Sequence, residues 1–258
     1  MSVKHWGPEA PEEPGAEAAL MLHCTLANGG AWASLARHLR GRLTLVAPDL
    51  LAHGDGHAFD PTRDFHDQAT EAAARHLTPG MHLIGHSFGA TIALRLALDQ
   101  PERVKSLTLI EPVLFCAAHG PGRAAHDAYV AGVPQALAEG DRARAARCFL
   151  GLWGAEPFDG MPPARQAYIT DRIWIPAATE PALLDDRARI LPRLPQLPTP
   201  TLLLHGALSP PVIPEIIARL SSDIPNSQAQ VLDGAAHMAP LTHPAATARA
   251  ILGFLDQL

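Results

Sequence analysis

The sequence predicts an α/β fold: a mostly parallel, doubly wound sheet with helices on both faces and a helical segment inserted late in the chain. Three observations predict it. Six short apolar runs bounded by turn residues recur along the 258-residue chain, and helical patterns separate them. One long region, 113–196, carries helical patterns but no convincing strand. Near-continuous apolar strands alternating with helices are what a sheet buried on both faces requires. The resulting division is a core of 1–112 and 197–258 with a helical insertion, a lid by its position, at 113–196.

In order, the strands are AALMLH (18–23), LTLVAP (43–48), MHLIGH (81–86), VKSLTLIE (104–111), TPTLLLHG (199–206) and AQVLDG (229–234), with a weaker one at 2–6. GAWASLARHL (30–39), FHDQATEAAARHL (65–77) and GATIALRLALDQP (89–101) show apolar residues at three- and four-residue spacing and read as helices. Asp99 and Glu102 flank the Pro101 helix end and face solvent. In the insertion, helical pieces are expected at 123–139, 141–153, 163–175 and 181–190. Its larger side chains include Phe115, Trp153, Phe158, Met161, Tyr168 and Trp174. Phe115, Trp153 and Trp174 are the substrate-wall candidates, because long insertions of this kind form lids and binding walls.

Composition narrows the function classes. At 47% hydrophobic the chain can bury a large core, and its formal net charge of −6 leaves no basic field for nucleic acid. Lys4 and Lys105 are the only lysines, and the arginines are scattered. Residues 1–17 are polar, Pro-rich and acidic, unlike a signal peptide, and no apolar stretch approaches the ~20 residues of a membrane span. A cytoplasmic protein acting on a small molecule is the expectation, with neither nucleic acid nor membrane as partner; composition leaves the oligomeric state open. Cys24, Cys116 and Cys148 are an odd set without zinc-like spacing and read as thiols. HGDGH (53–57) lacks the helical i, i+4 face or cysteine partners that fix a metal, so no metal and no cofactor is expected.

Residues 81–98 carry the chemistry. MHLIGHSFGATIALRLAL reads as strand, Gly-His-Ser-Phe-Gly, then amphipathic helix. Gly85 and Gly89 allow a tight strand-to-helix turn that lifts Ser87 to the start of the helix, where dipole and free N–H groups stabilise negative charge. In this context the chain resembles the α/β-hydrolase family. LMLHCTLANGGAWASLARHL (20–39) is similar to the family's His-Gly oxyanion loop and APDLLAHGDG (47–56) to its Pro-Asp-Leu…His-Gly loop. GHSFG resembles its nucleophile elbow, and DGAAHMAPLTHP (233–244) its Gly-x-x-His loop. The resemblance does not cover the family's first strand. It also departs at Cys24, where the family has glycine and where a side chain restricts positive φ.

The resemblance implies Ser87 as nucleophile, with His237 as base. His243 is the weaker alternative, beside Pro244 at a helix start. Phe88 and either Thr25 or Leu26 would supply the oxyanion N–H groups. Asp49 and His53 would pin their loop. The acid is displaced: HGALSPPV (205–212) places Ser209 where the family has aspartate. In a minority of the family the acid ends the preceding strand, which here is Glu111 in LTLIEPVLF (107–115). Pairing of Glu111 with an arginine, or capping of an insertion helix, remains the competing reading; Asp233, Glu215 and Asp185–Asp186 are placed less well. The implied activity is that of a serine hydrolase acting on a small to medium hydrophobic carboxylic ester. Carbon–carbon bond hydrolysis, lactone hydrolysis and acyl transfer use the same constellation. A ligand-binding protein on a degenerate scaffold is the non-enzymatic alternative.

Overall fold

The computed structural model describes residues 2–7 and 17–258, so most of the polar N-terminal stretch lies outside the described residues. Seven strands form one sheet: β1 (Val3–Trp6), β2 (Glu17–Leu22), β3 (Leu43–Pro48), β4 (Met81–His86), β5 (Val104–Ile110), β6 (Thr201–Gly206) and β7 (Ser227–Leu232). Their spatial order is β1-β3-β2-β4-β5-β6-β7. All neighbours are parallel except β1, which runs antiparallel to β3 at the edge. The weak run at 2–6 is therefore a strand, and the last strand begins two residues earlier than its apolar pattern suggested.

Side-chain alternation explains the two covered faces. Ala19, Met21, Leu202 and Leu204 point to the face covered by α1 (Ala33–Leu39), the short α10 (Ala239–Thr242) and α11 (Pro244–Leu255). Leu20, Leu22, Leu107, Leu109 and Leu203 point to the other, covered by α2 (Phe65–Ala74), α3 (Phe88–Asp99) and α9 (Val212–Asp223). Strand order fixes the position of the site. From β2 the chain first moves outward to β3, then returns to β4 on β2's other side. Such a reversal opens a crevice at the C-terminal strand ends, where open α/β sheets bind ligands. The loop after β2 and the turn after β4 meet there.

Between Ile110 and Thr201 the chain forms α4 (Pro121–Val130), α5 (Gly132–Ala138), α6 (Arg142–Trp153), α7 (Pro163–Arg172) and α8 (Ile175–Asp185), with no strand. The helix expected over 123–139 divides at Ala131, before Gly132 and Pro134. The last one starts at Ile175 and not at residue 181: Pro176 opens it, and Pro181 lies inside it. Asp99 is exposed, as expected, and pairs at the surface with Arg95 and Arg193.

Two sets of hydrogen bonds help to dock the insertion on the core. Tyr168 of α7 accepts the Gly54 N–H at 2.9 Å and donates to the Ala27 carbonyl at 2.8 Å, joining the loops after β2 and β3. Glu215 of α9 receives the N–H groups of Gly120, Gly122 and Arg123 at 3.0, 2.6 and 3.3 Å, so a core helix caps the first helix of the insertion. Removing a side-chain cap costs about 1–2 kcal/mol. Glu215→Ala is expected to lower unfolding free energy in urea by that amount. An unchanged denaturation midpoint would show that solvent replaces the cap.

Candidate active site

The sharp turn after β4 is built by glycine at close approaches. A Cβ on Gly85 would stand 2.5 Å from the Ala90 Cα, and one on Gly89 would stand 2.1 Å from the Leu22 carbonyl oxygen. Between them Ser87 takes φ 55° and ψ −119°, a conformation side chains rarely adopt, held by its N–H donating to the Ile110 carbonyl at 2.9 Å. Glu111 and Leu26, at φ 53° and φ 62°, share the left-handed region. Backbone strain of this sort persists where surrounding structure over-determines it, and it clusters at functional sites.

Ser87, His237 and Glu111 come together in one hydrogen-bonded chain. His237 Nε2 lies 3.0 Å from Ser87 Oγ, and its Nδ1 lies 3.1 Å from Glu111 Oε2. The other Glu111 oxygen accepts the Gly206 N–H and the Ser209 hydroxyl, each at 2.6 Å. Glu111 is fully buried. Burial alone would raise its carboxyl, but the hydrogen bond and charge of His237, then Ser209 and Gly206, outweigh it and hold the carboxyl below its ordinary value. An ionised Glu111 requires the proton on Nδ1 of a neutral His237, which leaves Nε2 as acceptor for the Ser87 hydroxyl. No arginine pairs with Glu111 among the described ion pairs; its only such partner is His237. His243, the other histidine of that loop, accepts or donates only locally, with Thr242 Oγ1 at 2.9 Å.

The loop after β2 is held by two buried histidines. His23 donates from Nδ1 to the Cys24 carbonyl at 2.8 Å and accepts the Leu50 N–H at 3.0 Å. His53 donates from Nδ1 to the Leu51 carbonyl at 2.8 Å and accepts the Leu26 N–H at 3.0 Å. Leu26 is thus corrected as an oxyanion donor: its N–H is spent on His53, and its side chain packs into the insertion's core. The Thr25 N–H has no backbone acceptor among the described residues and borders the Ser87 cavities. The Phe88 N–H opens α3. Cys24 does not need the glycine conformation, because the positive φ falls at Leu26. Burial pushes the Cys24 thiol up to about 12, so it is inert. Asp49 pins the neighbouring loop through the Gly29 and Asp55 N–H groups at 2.7 and 2.9 Å. With His53 committed to backbone and His57 exposed, HGDGH is loop structure; no group of metal-type ligands occurs among the described residues.

Two cavities meet at Ser87 and Thr25. One, about 340 Å³, also reaches His237; the other, about 100 Å³, does not. Trp153 lines both and packs its ring edge-on to His237 at 4.5 Å between centroids. Phe115 lines the smaller cavity and stacks on His126 at 4.1 Å. Trp174 lines neither: it stacks on Phe59 at 5.6 Å and meets Phe65 edge-on, so its expected wall role is replaced by packing against the core. Sequence reasoning missed Phe149, which lines both cavities one turn before Trp153. It also missed His86. That histidine donates from Nε2 to the His237 carbonyl at 2.8 Å, and burial first, then His237, lowers it to about 3. The Gly-x-Ser-x-Gly spacing of the elbow points to Ser87, and nothing in it signals a partner 151 residues away.

The pattern of the Alpha/beta hydrolase family matches residues 19–250, and the chain belongs to that family. It is 30% identical to the pimeloyl-[acyl-carrier protein] methyl ester esterase of Aeromonas salmonicida over 239 residues, 87% of this chain and 90% of that one. It is 33% identical to lipase LipV of Mycobacterium tuberculosis over 116 residues, which spans only 44% of this chain and 42% of the lipase. Among solved structures it superposes on the enol-lactonase from Burkholderia xenovorans LB400 with a TM-score of 0.76 at 17% identity, covering 99% and 96% of the two chains, a likeness of fold.

Burial also sets a pH dependence. It lowers His23 and His66 to about 4 and His53 and His86 to about 3, from an ordinary 6.5. Unfolding restores each basicity, so the unfolded chain binds more protons below about pH 6.5, and stability falls as pH falls from there towards the folded values. Each histidine contributes about 1.4 kcal/mol per pH unit inside that window. Glu111 adds to this at lower pH: its stabilisation is complete above its unfolded value and is lost as pH falls through the lower folded one. The expected result is a steep loss of urea-unfolding free energy from pH 6.5 to 4.5, with a shallower slope in His53→Gln by about 1.4 kcal/mol per unit. Equal slopes in the two proteins would show that His53 does not titrate on unfolding.

Proposed function

We propose that the protein is a serine hydrolase of carboxylic esters with a small to medium hydrophobic substrate, Ser87 being nucleophile, His237 base and Glu111 acid, and residues 113–196 forming the cap. The observation that carries this reading is the unbroken hydrogen-bond chain from the Ser87 hydroxyl through both His237 nitrogens to a buried carboxylate. A serine hydroxyl needs a base to become nucleophilic, and the imidazolium that forms needs an oriented anion. Ser87 Oγ attacks the ester carbonyl while His237 Nε2 takes its proton. The N–H groups of Phe88 and Thr25 hold the oxyanion, reinforced by the α3 dipole. His237 then gives its proton to the departing alkoxide, leaving an acyl-enzyme. Water, deprotonated by His237, attacks the acyl carbon, and Ser87 recovers the proton. The relatives named as an esterase and a lipase support ester bonds as the target.

Ser209 completes the site in this reading. The hydroxyl that stands at the family's aspartate position donates to the displaced acid and, with His237 and the Gly206 N–H, offsets the disadvantage of its burial. Wild type is expected to label at Ser87 with a fluorophosphonate and to turn over 4-nitrophenyl esters, and Ser87→Ala to do neither. Glu111→Gln should lose activity by about 10³–10⁴-fold, the scale seen when a triad acid becomes an amide. Ser209→Ala, which removes one hydrogen bond to a charged group, should lose about 10- to 100-fold. Wild-type activity in Glu111→Gln would overturn the acid assignment. Absence of wild-type labelling would overturn the serine mechanism.

A further inference from the structure

The two cavities differ in size and in their access to the base, and that asymmetry bears on which part of an ester each one holds. During acyl transfer the leaving oxygen must receive its proton from His237 Nε2, so the leaving group sits on the histidine side of Ser87. The acyl chain occupies the side away from the histidine. The cavity of about 340 Å³ contains His237 together with Met238 and Leu241 that follow it. The cavity of about 100 Å³ touches Ser87 and Thr25 but not His237. Phe149 and Trp153, from one face of α6, stand on the divide.

From this geometry we infer that the substrate is a short-chain acyl ester of a bulky, largely apolar alcohol, with the acyl group in the smaller cavity. The assignment rests on Ser87 being the nucleophile. An apolar cavity of about 150 Å³ holds benzene, or about 25 Å³ per carbon. By that measure the smaller cavity takes about four carbons, and the larger takes about a dozen heavy atoms. Val113, Phe115, Val133 and Leu183, all buried, form the apolar inner wall of the small cavity, and its volume sets the length of chain it holds. Glu180 borders it with no cation paired to it among the described ion pairs, which disfavours an acyl tail that ends in a carboxylate. These side chains come from the segment after β5 and from α5 and α8, so the insertion builds the acyl subsite. The preference runs opposite to that expected for the methyl ester of a long acid.

Two ester series test this, each holding one half of the molecule constant. Across 4-nitrophenyl esters from acetate to decanoate, kcat/KM should peak between propanoate and pentanoate and be at least about tenfold lower at octanoate, since one methylene beyond a hydrophobic pocket is worth about tenfold or more. With butanoate held constant, the 2-phenylethyl ester should exceed the methyl ester by at least about tenfold. Val130→Phe, a half-buried wall position of the small cavity, should lower pentanoate activity at least about tenfold more than acetate activity. Leu184→Ala, on the same wall, should move the optimum to longer acids. A peak at octanoate or beyond, methyl butanoate preferred to phenylethyl butanoate, or chain-length profiles that neither variant shifts would each overturn the inference while Ser87 still labels. Failure of Ser87 to label would overturn it together with the serine mechanism.

Discussion

A carboxylate with no exposed surface stays ionised only if hydrogen bonds replace the water it has lost, a deficit of several kcal/mol. At the end of β5 three donors do so: the Gly206 N–H, the Ser209 hydroxyl and the His237 Nδ1–H. The first two come from the end of β6 and the turn beyond it, the third from the loop after β7. Glu111 thereby ties three neighbouring strand ends to one point. His237 is oriented by the same bond that compensates the charge. Removing Glu111 would leave the imidazole without its tautomer and Ser209 and Gly206 without an acceptor. The left-handed backbone at Glu111 is sustained by this network, and its N–H is held by the Leu204 carbonyl at 2.8 Å.

Neutral histidines form the second layer of the design. His23 and His53 join the loops after β2 and β3, and His86 joins the elbow to the carbonyl of His237. Each donates one N–H to a carbonyl, and His23 and His53 each also accept a backbone N–H, a bifunctional role that the acceptor-only carboxylates and the donor-only lysine cannot fill. Burial keeps all three uncharged at neutral pH. That matters at His86, whose ring centroid lies 5.2 Å from that of His237. A charged neighbour there would oppose formation of the imidazolium in the proposed mechanism. The buried histidines thus brace Ser87 and His237 without adding charge beside them.

Much of this was legible in the sequence because its causes are local. Strands β3 and β4 follow from apolar runs with turn residues at both ends, and the elbow follows from two glycines around Ser87 that the backbone approaches leave no alternative to. The edge strand β1 was weak in the pattern because half of it faces solvent. What escaped was set by contacts distant in sequence. Leu26 and Thr25 look equivalent as oxyanion donors until His53 claims one of them. Trp174 looks like a wall residue until Phe59 and Phe65 stack against it. Pro181 resembles a helix start because proline favours first turns, yet the helix had already begun at Ile175.

Glu111 and Ser209 are best understood as one unit. Strands β5 and β6 are parallel neighbours, so their ends lie one strand spacing apart, about 4.8 Å. A side chain from either end can reach the same imidazole, and glutamate, longer by one methylene, spans the extra distance from β5. Once it does, position 209 stands within 2.6 Å of its carboxylate oxygen and no longer admits an ionised aspartate without like-charge repulsion. A hydroxyl is the small group that both fits there and donates. In the proposed reading, the serine at the family's acid position is therefore the counterpart of a carboxylate supplied one strand inward, and a missing aspartate is compatible with an unbroken hydrogen-bond chain through His237.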